Sequence, residues 1–575
     1  MLVLLAFALP FEAPLFGAGP LQITSVELAL YAMLAAWGTG VALEALGGRL
    51  AWRAALARLG RDRMARAAAA WAVVLFASAA AAPSDRAAAF KFALRSLSGV
   101  LAFFAARSVA GSRTAGDRVL LALAAGGVAS AMTAVVDALV PGSAPAWRLF
   151  HEGTFEALGL KRASGVFEYP TIGAMYWEAC VPLVVAAPFV WKKRPATGPR
   201  GALVAVVASA VLLLAILASG TRTALVGAAV ACALMALLGR QARALVPRVA
   251  GGTLLVLLVL SAVAFRPGAA DSPTGQRLRW WHDGRWFGAK YELPDAPISV
   301  GGGAVFGVPV TLRNTGAIAW RAAGALPTRL SYHLAVESAD GAQPRFVQYD
   351  GRRTDLPVDV PPGGVIQVIG LVQAPAAAGT YRLSWDLVQE NVTWFSERGI
   401  AVGEQSIEVR SGNTTPPPEI VVSKPGPPPA PRASLWRAAV ALWRERPLLG
   451  VGPDNFRRRY EALLSPSPTG EPYTDTRIHA NSLYFETLAD LGLAGIAALG
   501  AIAAALFRSL CRLRESRCVA GLACAVAAAV FFVHGLLDYF FEFTPLFGLF
   551  WVTLGLAAAL EPPPPALQAP PGSTR

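Results

Sequence analysis

Long apolar stretches separated by loops make up most of the chain. The hydrocarbon core of a bilayer takes about 20 apolar residues per helix, so each such stretch predicts a membrane-spanning helix. We find about twelve stretches, near residues 1–18, 24–46, 67–82, 88–106, 118–140, 170–191, 201–219, 222–239, 246–265, 482–507, 518–538 and 545–560. The pattern predicts an α-helical multi-pass membrane protein, with N-terminal transmembrane helices in 1–265 and C-terminal ones in 482–560.

The apolar pattern changes to a period of two within residues 266–413. Three runs, at 306–312, 330–336 and 381–387, alternate apolar with smaller or polar residues, which is typical of half-buried strands. Turn signals such as the Pro-Pro-Gly-Gly run at 361–364 separate them. Several short strands at this spacing predict an inserted all-β domain, an immunoglobulin-like (Ig-like) sandwich.

Two proline-rich segments flank the second half of the chain. Residues 414–432 predict a stiff, extended linker, because prolines favour an extended backbone. Residues 561–575 predict a disordered tail. Between them, residues 433–481 form a separate unit with an apolar stripe at helical spacing. The stripe predicts an amphipathic helix that either lies on the outer membrane surface or packs on the β-domain. Its positions are Leu435, Trp436, Ala439, Leu442 and Trp443.

Composition and charge agree with this class. The chain of 575 residues is 55% hydrophobic and 15% charged, with a formal net charge of +14, which excludes an ordinary soluble globule. Arginine and lysine concentrate in the loops at 49–66, 192–200, 240–248 and 508–517. Basic loops stay in the cytoplasm, so we predict cytoplasmic termini and place 141–169 and 266–481 on the outer, periplasm-like face. The net charge then reflects topology, not nucleic-acid binding.

Export signals and cysteines add two expectations. The first apolar stretch lacks a basic start, so we predict a retained span and not a cleaved signal peptide. The five cysteines all lie in predicted spans or on the inner side, so the external segment is expected to have no disulfides.

Four segments follow one another in a characteristic order. They are KRASGVFEYP (161–170), ASGTRTALVG (218–227), SLWRAAVALWRERPLLGVGPDNF (434–456) and HANSLYFETLADLGLAG (479–495), with HGLLDYFFEFTPLFGLFWVTLGL (534–556) as a weaker fifth. Together they resemble the O-antigen ligase and O-antigen polymerase family, bacterial membrane glycosyltransferases that use undecaprenyl-diphosphate-linked glycans. The chain departs from the family pattern at Thr171 and at Ala480, which separates His479 from Asn481. The β-domain resembles an insertion into the large periplasmic loop of the family.

The resemblance implies a donor with a diphosphate leaving group. Arginine suits this group because its planar fork binds phosphate oxygens and stays charged. Arg222, at the outer mouth of a span, and Arg162 are the candidates, and Lys91 and Arg95, one turn apart, extend the site. The alternative for Arg222, and the favoured one for Lys91 and Arg95, is that they reach the lipid headgroups. Arg162 lies in a predicted outer loop, where exposing an arginine to water costs little free energy, so the alternative is that it has no function there.

The acceptor is expected to be a sugar hydroxyl, which attacks better when a base removes its proton. His479 is the candidate base, with Glu486 to orient it. Asn481 binds substrate or caps the following helix, and Asn455 is delivered toward the same face by the turn at 450–453. The alternative for His479 is an ordinary surface histidine. Secondary candidates are His534 and Asp538.

We expect no metal and no cofactor, because no cluster with metal-ligand spacing and no nucleotide-binding glycine loop occurs. The predicted function is transfer of the glycan, with inversion, to an acceptor at the periplasmic face of the bacterial inner membrane. Lipid A-core is favoured as acceptor (a ligase), and a growing glycan (a polymerase) or a protein are alternatives.

The β-domain is predicted to bind a glycan or a partner. Its candidate aromatic residues for this are Trp320, Trp394 and Phe395, for which burial in the sandwich core is the alternative. A transporter or glycan-binding receptor is the rival function class for the whole chain. It is disfavoured because the charged residues concentrate at the outer ends of the predicted spans.

Overall fold

The structure is a computed structural model of the chain. It describes residues 1–18, 21–47, 60, 62–139, 144–147, 149–151, 155–157, 160–191, 199–239, 243, 246–247, 251, 287–294, 298–323, 327–336, 345–390, 393–410, 430–464, 478–516 and 518–562.

The first apolar stretch is not a span. Helix α1, Leu2–Ala8, has seven residues, and strands β1, Pro14–Ala18, and β2, Leu21–Thr24, follow it as an antiparallel pair. The helix ends just before Pro10, which cannot donate the backbone hydrogen bond that a helix interior needs. The prediction of a retained span over 1–18 is therefore wrong.

Helices make up most of the described chain. In chain order they continue as α2 (Ser25–Leu46), α3 (Arg63–Ala81), α4 (Arg86–Val109), α5 (Arg113–Leu139), α6 (Pro170–Trp191), α7 (Pro199–Ser219), α8 (Arg222–Leu238), α9 (Arg432–Glu445), α10 (Phe456–Arg459), α11 (Leu483–Ser516), α12 (Val519–His534) and α13 (Thr544–Leu560).

Seven helices of the described chain, α2 to α7 and α11, are long and apolar enough to cross a membrane. The apolar helices α8, α12 and α13 are shorter. Ten of the predicted stretches thus coincide with apolar helices, which is compatible with a membrane protein. The predicted span at 246–265 lies outside the described residues, apart from isolated positions.

Helix α6 lies at the centre of the helical layer. It packs against α5, α7, α8 and α12, and 89% of its most apolar window is buried inside the protein. A polar residue on this helix therefore faces protein and not lipid. Glu178 is such a residue, and it is 1% exposed.

The region of the predicted β-domain contains two sheets around one core. Strands β6 (Ile298–Gly301), β8 (Thr328–Val336), β10 (Thr354–Asp355), β12 (Gly379–Gln389) and β14 (Gly403–Arg410) form one sheet in the order β10-β8-β12-β14-β6, with β9 (Arg345–Gln348) and β13 (Thr393–Trp394) paired at its side. Strands β5 (Ala289–Glu292), β7 (Val305–Asn314) and β11 (Val365–Gln373) form the other, in the order β11-β7-β5.

The three alternating runs lie in β7, β8 and β12, as predicted, and all but one of the pairings between main strands are antiparallel. The exception is β14 with β6, which is parallel. One hydrophobic cluster contains residues of both sheets. The immunoglobulin-like assignment stays a prediction.

The aromatic residues considered for glycan binding are inside this domain. Trp320 is 0%, Phe395 1% and Trp394 8% exposed. Trp320 and Trp394 pack on other rings, those of Phe395 and His333 respectively. The hypothesis that these three rings form an exposed glycan-binding surface is wrong. Trp320 and Phe395 belong to the core between the sheets, and Trp394 is buried outside that core, against His333.

The amphipathic helix α9 packs on α11. Leu435, Ala439 and Leu442 on its apolar stripe are buried, and Trp436 stacks on Phe485 of α11 with ring centroids 5.0 Å apart. The buried positions of the stripe therefore pack inside the protein and not on the membrane surface or the β-domain, whereas Trp443 is only partly buried.

Candidate functional site

A break in α11 positions the loop before it. Gly492 has φ 62° and ψ −158°, a backbone conformation that side chains rarely permit. The segment at 447–452 lies against this break and pairs with it through backbone hydrogen bonds. Leu493 and Ala494 donate to the carbonyl groups of Pro447 and Leu448, and Val451 and Gly452 donate to those of Ala489 and Asp490.

The carboxylate of Asp490 secures the turn that follows. It accepts from the backbone N–H of Asp454 at 2.7 Å and from that of Phe456 at 2.8 Å. Asp454 in turn accepts two hydrogen bonds from Arg457, at 2.6 and 2.7 Å. Asn455 is fully buried and donates to the backbone carbonyls of Ser84 and Val451. These contacts favour a structural role for Asn455 over the predicted substrate contact.

His479 lies between two carboxylates. Its Nδ1 is 2.7 Å from Oε1 of Glu486, and its Nε2 is hydrogen-bonded to Glu542. Oε2 of Glu486 accepts from the backbone N–H of Ala480 at 2.6 Å, which fixes this carboxylate on both oxygens. The ring of Tyr539 stacks on the imidazole with a centroid distance of 5.0 Å. The predicted pairing of His479 with Glu486 is thus present, and we call Glu486, His479 and Glu542 the outer chain.

The outer chain holds His479 in its charged form. Burial alone lowers the pKa of His479, but the Glu486 and Glu542 carboxylates outweigh it and raise that pKa well above its ordinary value. Burial by itself would raise the pKa of Glu542. The hydrogen bond and the charge of His479 outweigh burial, so the pKa of Glu542 lies below its ordinary value. With both ring nitrogens donating to carboxylates, His479 has no lone pair with which to accept a proton.

A second imidazole is bracketed in the same way. Nδ1 of His534 is 2.7 Å from Oε1 of Glu178, and its Nε2 is 3.0 Å from Oδ2 of Asp538. His534 is 0% exposed, and the side chain of Asp538 is 15% exposed. We call Glu178, His534 and Asp538 the inner chain, because it runs into the helical layer.

Both hydrogen-bonded chains, the outer and the inner one, reach one cavity of about 260 Å³. His479 comes from the outer chain and Asp538 from the inner one, and Asn481 and Thr171 add polar atoms. The remaining wall is largely apolar or aromatic, as is usual for a ligand site. It consists of Tyr169, Ile172, Met175, Ala430, Leu435, Ile478, Tyr539 and Phe543.

Arg162 joins two of the sequence segments beside this cavity. Its guanidinium donates to the backbone carbonyl of Ser219 at 2.8 Å and to the hydroxyl of Thr221 at 3.2 Å. Burial lowers the pKa of Arg162 below its ordinary value, and the nearby charge of Asp538 offsets part of this effect. Arg222 follows Thr221 as the first residue of α8 and is exposed. It does not line the cavity.

The other predicted cations, Arg95 and Lys91, are not in the cavity wall. Arg95 pairs with Glu27 at 2.8 Å and donates to Thr544 at 2.7 Å, next to the cavity residue Phe543. Lys91 is exposed on the same helix, α4. Asn481 has a left-handed φ of 49° and does not cap α11, which begins two residues later.

Sequence reasoning missed two charged groups near the site, Glu542 and Glu178. The carboxylate of Glu542 is also 3.6 Å from the guanidinium of Arg457. Glu542 lies inside the weaker fifth segment, and Arg457 directly follows the third. Glu178 is a carboxylate in an otherwise apolar stretch, and such a residue signals function in a membrane helix.

The described residues contain no group of three or more His, Cys, Asp or Glu side chains that suits a metal ion. The lack of a metal requirement stays a prediction.

No family model and no curated protein matches the chain. Among solved structures, it aligns with the Pseudomonas fluorescens alkylpurine DNA glycosylase AlkC bound to DNA containing an abasic site analog, at 10% sequence identity. The alignment covers 61% of this chain and 97% of that chain, with a TM-score of 0.15. A score this low carries no argument about fold or function.

Proposed function

We propose that the protein is a membrane glycosyltransferase that transfers an undecaprenyl-diphosphate-linked glycan to an acceptor hydroxyl at the periplasmic face. One observation carries the proposal: segments far apart in the sequence meet around a single cavity. Its wall contains Thr171, Leu435, His479 and Asp538, which lie in or directly after four of the five segments. Arg162 bonds to the remaining one, through Ser219 and Thr221.

The cavity offers complementary groups to such a donor. Arg162 is not in the cavity wall itself but donates to Thr171 of that wall at 3.4 Å. From there it supplies a positive charge for the diphosphate leaving group, since charge in a partly dry site stabilises a departing anion strongly. Arg222, exposed at the start of α8, is proposed to meet the same anion. The apolar wall formed by Ile172, Met175 and Leu435 suits the first isoprene units of the lipid.

Asp538 is the group that we assign as proton acceptor. It is the carboxylate among the lining residues, and an acceptor hydroxyl in the cavity contacts it directly. His479 was the predicted base, but its bonds to Glu486 and Glu542 support a cationic role instead. In this role His479 holds the carboxylates of the outer chain in place.

The acceptor class stays open among three candidates. Lipid A-core is the preferred acceptor, a second lipid-linked glycan would make the protein a polymerase, and a protein hydroxyl is the third. A transporter or glycan-binding receptor is the rival from another class, and buried ionisable groups such as those of the inner chain also occur in transporters.

Transfer by the purified protein tests the proposal. The protein in detergent, with EDTA present, receives a synthetic undecaprenyl-diphosphate oligosaccharide and either lipid A-core or excess donor. Product on lipid A-core establishes a ligase, and a ladder of longer lipid-linked glycans establishes a polymerase. Donor binding without any product contradicts the enzymatic proposal for these acceptors and favours the rival class.

Variants then test the residue roles. Arg162→Ala is expected to lower transfer about 100-fold, the usual effect of losing one charge-stabilising donor. Asp538→Asn is expected to lower it at least about 100-fold, as for loss of a base. Arg512→Ala is the matched control, because this arginine pairs with Glu561 on the surface and is half exposed. Equal activity of Arg162→Ala and the control would remove Arg162 from the site.

A further inference from the structure

Two ionisable groups of the inner chain lie deep in the helical layer. Glu178 on α6 is 1% exposed and His534 at the end of α12 is 0% exposed. Helix α6 is covered by four other helices, so neither side chain reaches lipid headgroups. Buried ionisable groups are costly and persist where they are paired or used.

The inner chain connects this interior to the cavity through two hydrogen bonds. The first, of 3.0 Å, joins Asp538 to His534, and the second, of 2.7 Å, joins His534 to Glu178. Asp538 is itself part of the cavity wall. A proton that arrives on Asp538 is therefore two bonds away from Glu178.

The inner and outer chains differ in how their buried carboxylate is satisfied. Both oxygens of Glu486 have partners, His479 and the backbone of Ala480, as expected of a structural support. Oε2 of Glu178 is buried and has no hydrogen-bond partner among the described residues. It lies against Gly227 of α8, where an added Cβ would be 2.1 Å away.

The net charge of the inner chain shows why an unsatisfied oxygen on Glu178 favours the gain of a proton. One imidazolium shared by two carboxylates has a net charge of −1, and one additional proton makes the unit neutral. Protonation of Glu178 removes the charge from its unsatisfied oxygen, whereas protonation of Glu486 would break satisfied hydrogen bonds. The inner chain is thus the one of the two that is built to gain a proton.

We propose that Glu178 and His534 form a proton-accepting pair behind Asp538. This inference rests on the proposed function. As the acceptor oxygen bonds to the sugar carbon and the diphosphate departs, the acceptor O–H bond breaks and its proton moves to Asp538. The Nδ1 proton of His534 then shifts to Glu178, which leaves three neutral groups. Release of one proton to solvent after product departure restores the starting charges.

The variant Glu178→Gln separates this role from a structural one. The amide oxygen of glutamine still accepts from Nδ1–H of His534, but glutamine cannot take the proton. His534 would then keep a positive charge without a counter-ion once Asp538 is protonated. We expect kcat to fall at least about tenfold, with unchanged donor binding and a larger solvent deuterium isotope effect on kcat.

Ser130→Ala is the matched control. Ser130 accepts a hydrogen bond of 3.1 Å from the indole of Trp177, the neighbour of Glu178 on α6, and does not line the cavity. This variant disturbs the same helix without touching the inner chain, and kcat and the isotope effect are expected to stay at wild-type values.

The outcomes distinguish the two proposals. If the wild type transfers glycan and Glu178→Gln has the same kcat and the same isotope effect, the proton-accepting pair is overturned and the proposed function stands. A wild-type protein that binds donor without transfer overturns both. If Glu178→Gln does not yield folded protein, His534→Gln tests the same link, and wild-type kcat in that variant overturns the pair.

Discussion

At the residue scale, the two carboxylates around His479 make the stability of the fold depend on pH. The pKa of His479 is raised on folding, so the folded protein binds a proton more tightly than the unfolded chain does. This contribution is complete below the unfolded pKa of about 6.5. It is lost as the pH rises from there through the folded pKa.

We therefore expect the melting temperature of the purified protein to fall as the pH rises above about 6.5. His479→Gln should be less stable than the wild type at neutral pH and should show a flatter dependence in this range. Melting curves of both proteins in detergent at several pH values measure the effect. Parallel curves for the two proteins would contradict the cationic assignment of His479.

The residues of the site were predictable to the extent that they share a motif. His479 and Glu486 lie in one motif, and their pairing was predicted. Glu542 is 63 positions from His479, and Glu178 is 356 positions from His534. Hydrophobic periodicity shows that a helix has an inner face but not which helix covers it. The distant partners, Glu542 of His479 and Glu178 of His534, therefore became visible only in the folded chain.

At the element scale, the break in α11 is required for the loop that supports the site. An added Cβ at Gly492 would lie 2.6 Å from the backbone of Leu448, and the φ of 62° is itself strained for other residues. We expect Gly492→Ala to lower the free energy of unfolding by about 1–3 kcal/mol and to lower glycan transfer with it.

Gly500→Ala is the control for this substitution. Gly500 lies in the same helix with nothing within 4 Å of an added Cβ, so alanine there is expected to stabilise the helix by roughly 0.5–1 kcal/mol. Denaturation in detergent, compared for the two variants, measures both effects. A Gly492→Ala variant as stable as Gly500→Ala would show that the break is not needed.

Helix α9 affects the site through Trp436. This residue stacks on Phe485 and donates from its indole N–H to the carbonyl of Ala480 at 3.0 Å, next to His479. We expect Trp436→Ala to lower transfer about tenfold, because small displacements of a catalytic group reduce the rate strongly.

Trp443 provides the comparison on the same helix. Its indole donates to Pro447 at 3.2 Å, at the other end of α9. Trp443→Ala removes a similar ring without touching Ala480, so transfer should change less than in Trp436→Ala. If the two variants lose activity equally, α9 acts on the site only by covering α11.

The elements themselves were largely predictable, and the exceptions have physical causes. Apolar length located ten of the helices, and a period of two located the strands β7, β8 and β12. Apolar length failed at residues 1–18, where Pro10 ends α1 after seven residues. The stripe on α9 was identified, but its partner was not, because an apolar stripe has the same pattern whether a membrane or another helix covers it.

At the scale of the whole molecule, the chain joins a helical layer to a sandwich with its own core. The core of the sandwich and the core of the helical layer are separate hydrophobic clusters. Both imidazole chains belong to the helical part. The chemistry that we propose therefore needs no residue of the sandwich.

The predicted topology places the sandwich and the inner end of α11 on opposite sides of the membrane, because basic loops stay in the cytoplasm. Val358 in the sandwich is 60% exposed, and Cys511 near the end of α11 is exposed. Two variants test this, and both have Cys232 and Cys518 replaced by serine. The first also carries Val358→Cys and Cys511→Ser, and a membrane-impermeant maleimide added to intact spheroplasts should label it. The second keeps Cys511 and Val358, and it should be labelled only after the membrane has been opened. Labelling of both positions in intact spheroplasts would place them on one side and reverse the assigned orientation of α11, and with it the periplasmic position of the cavity.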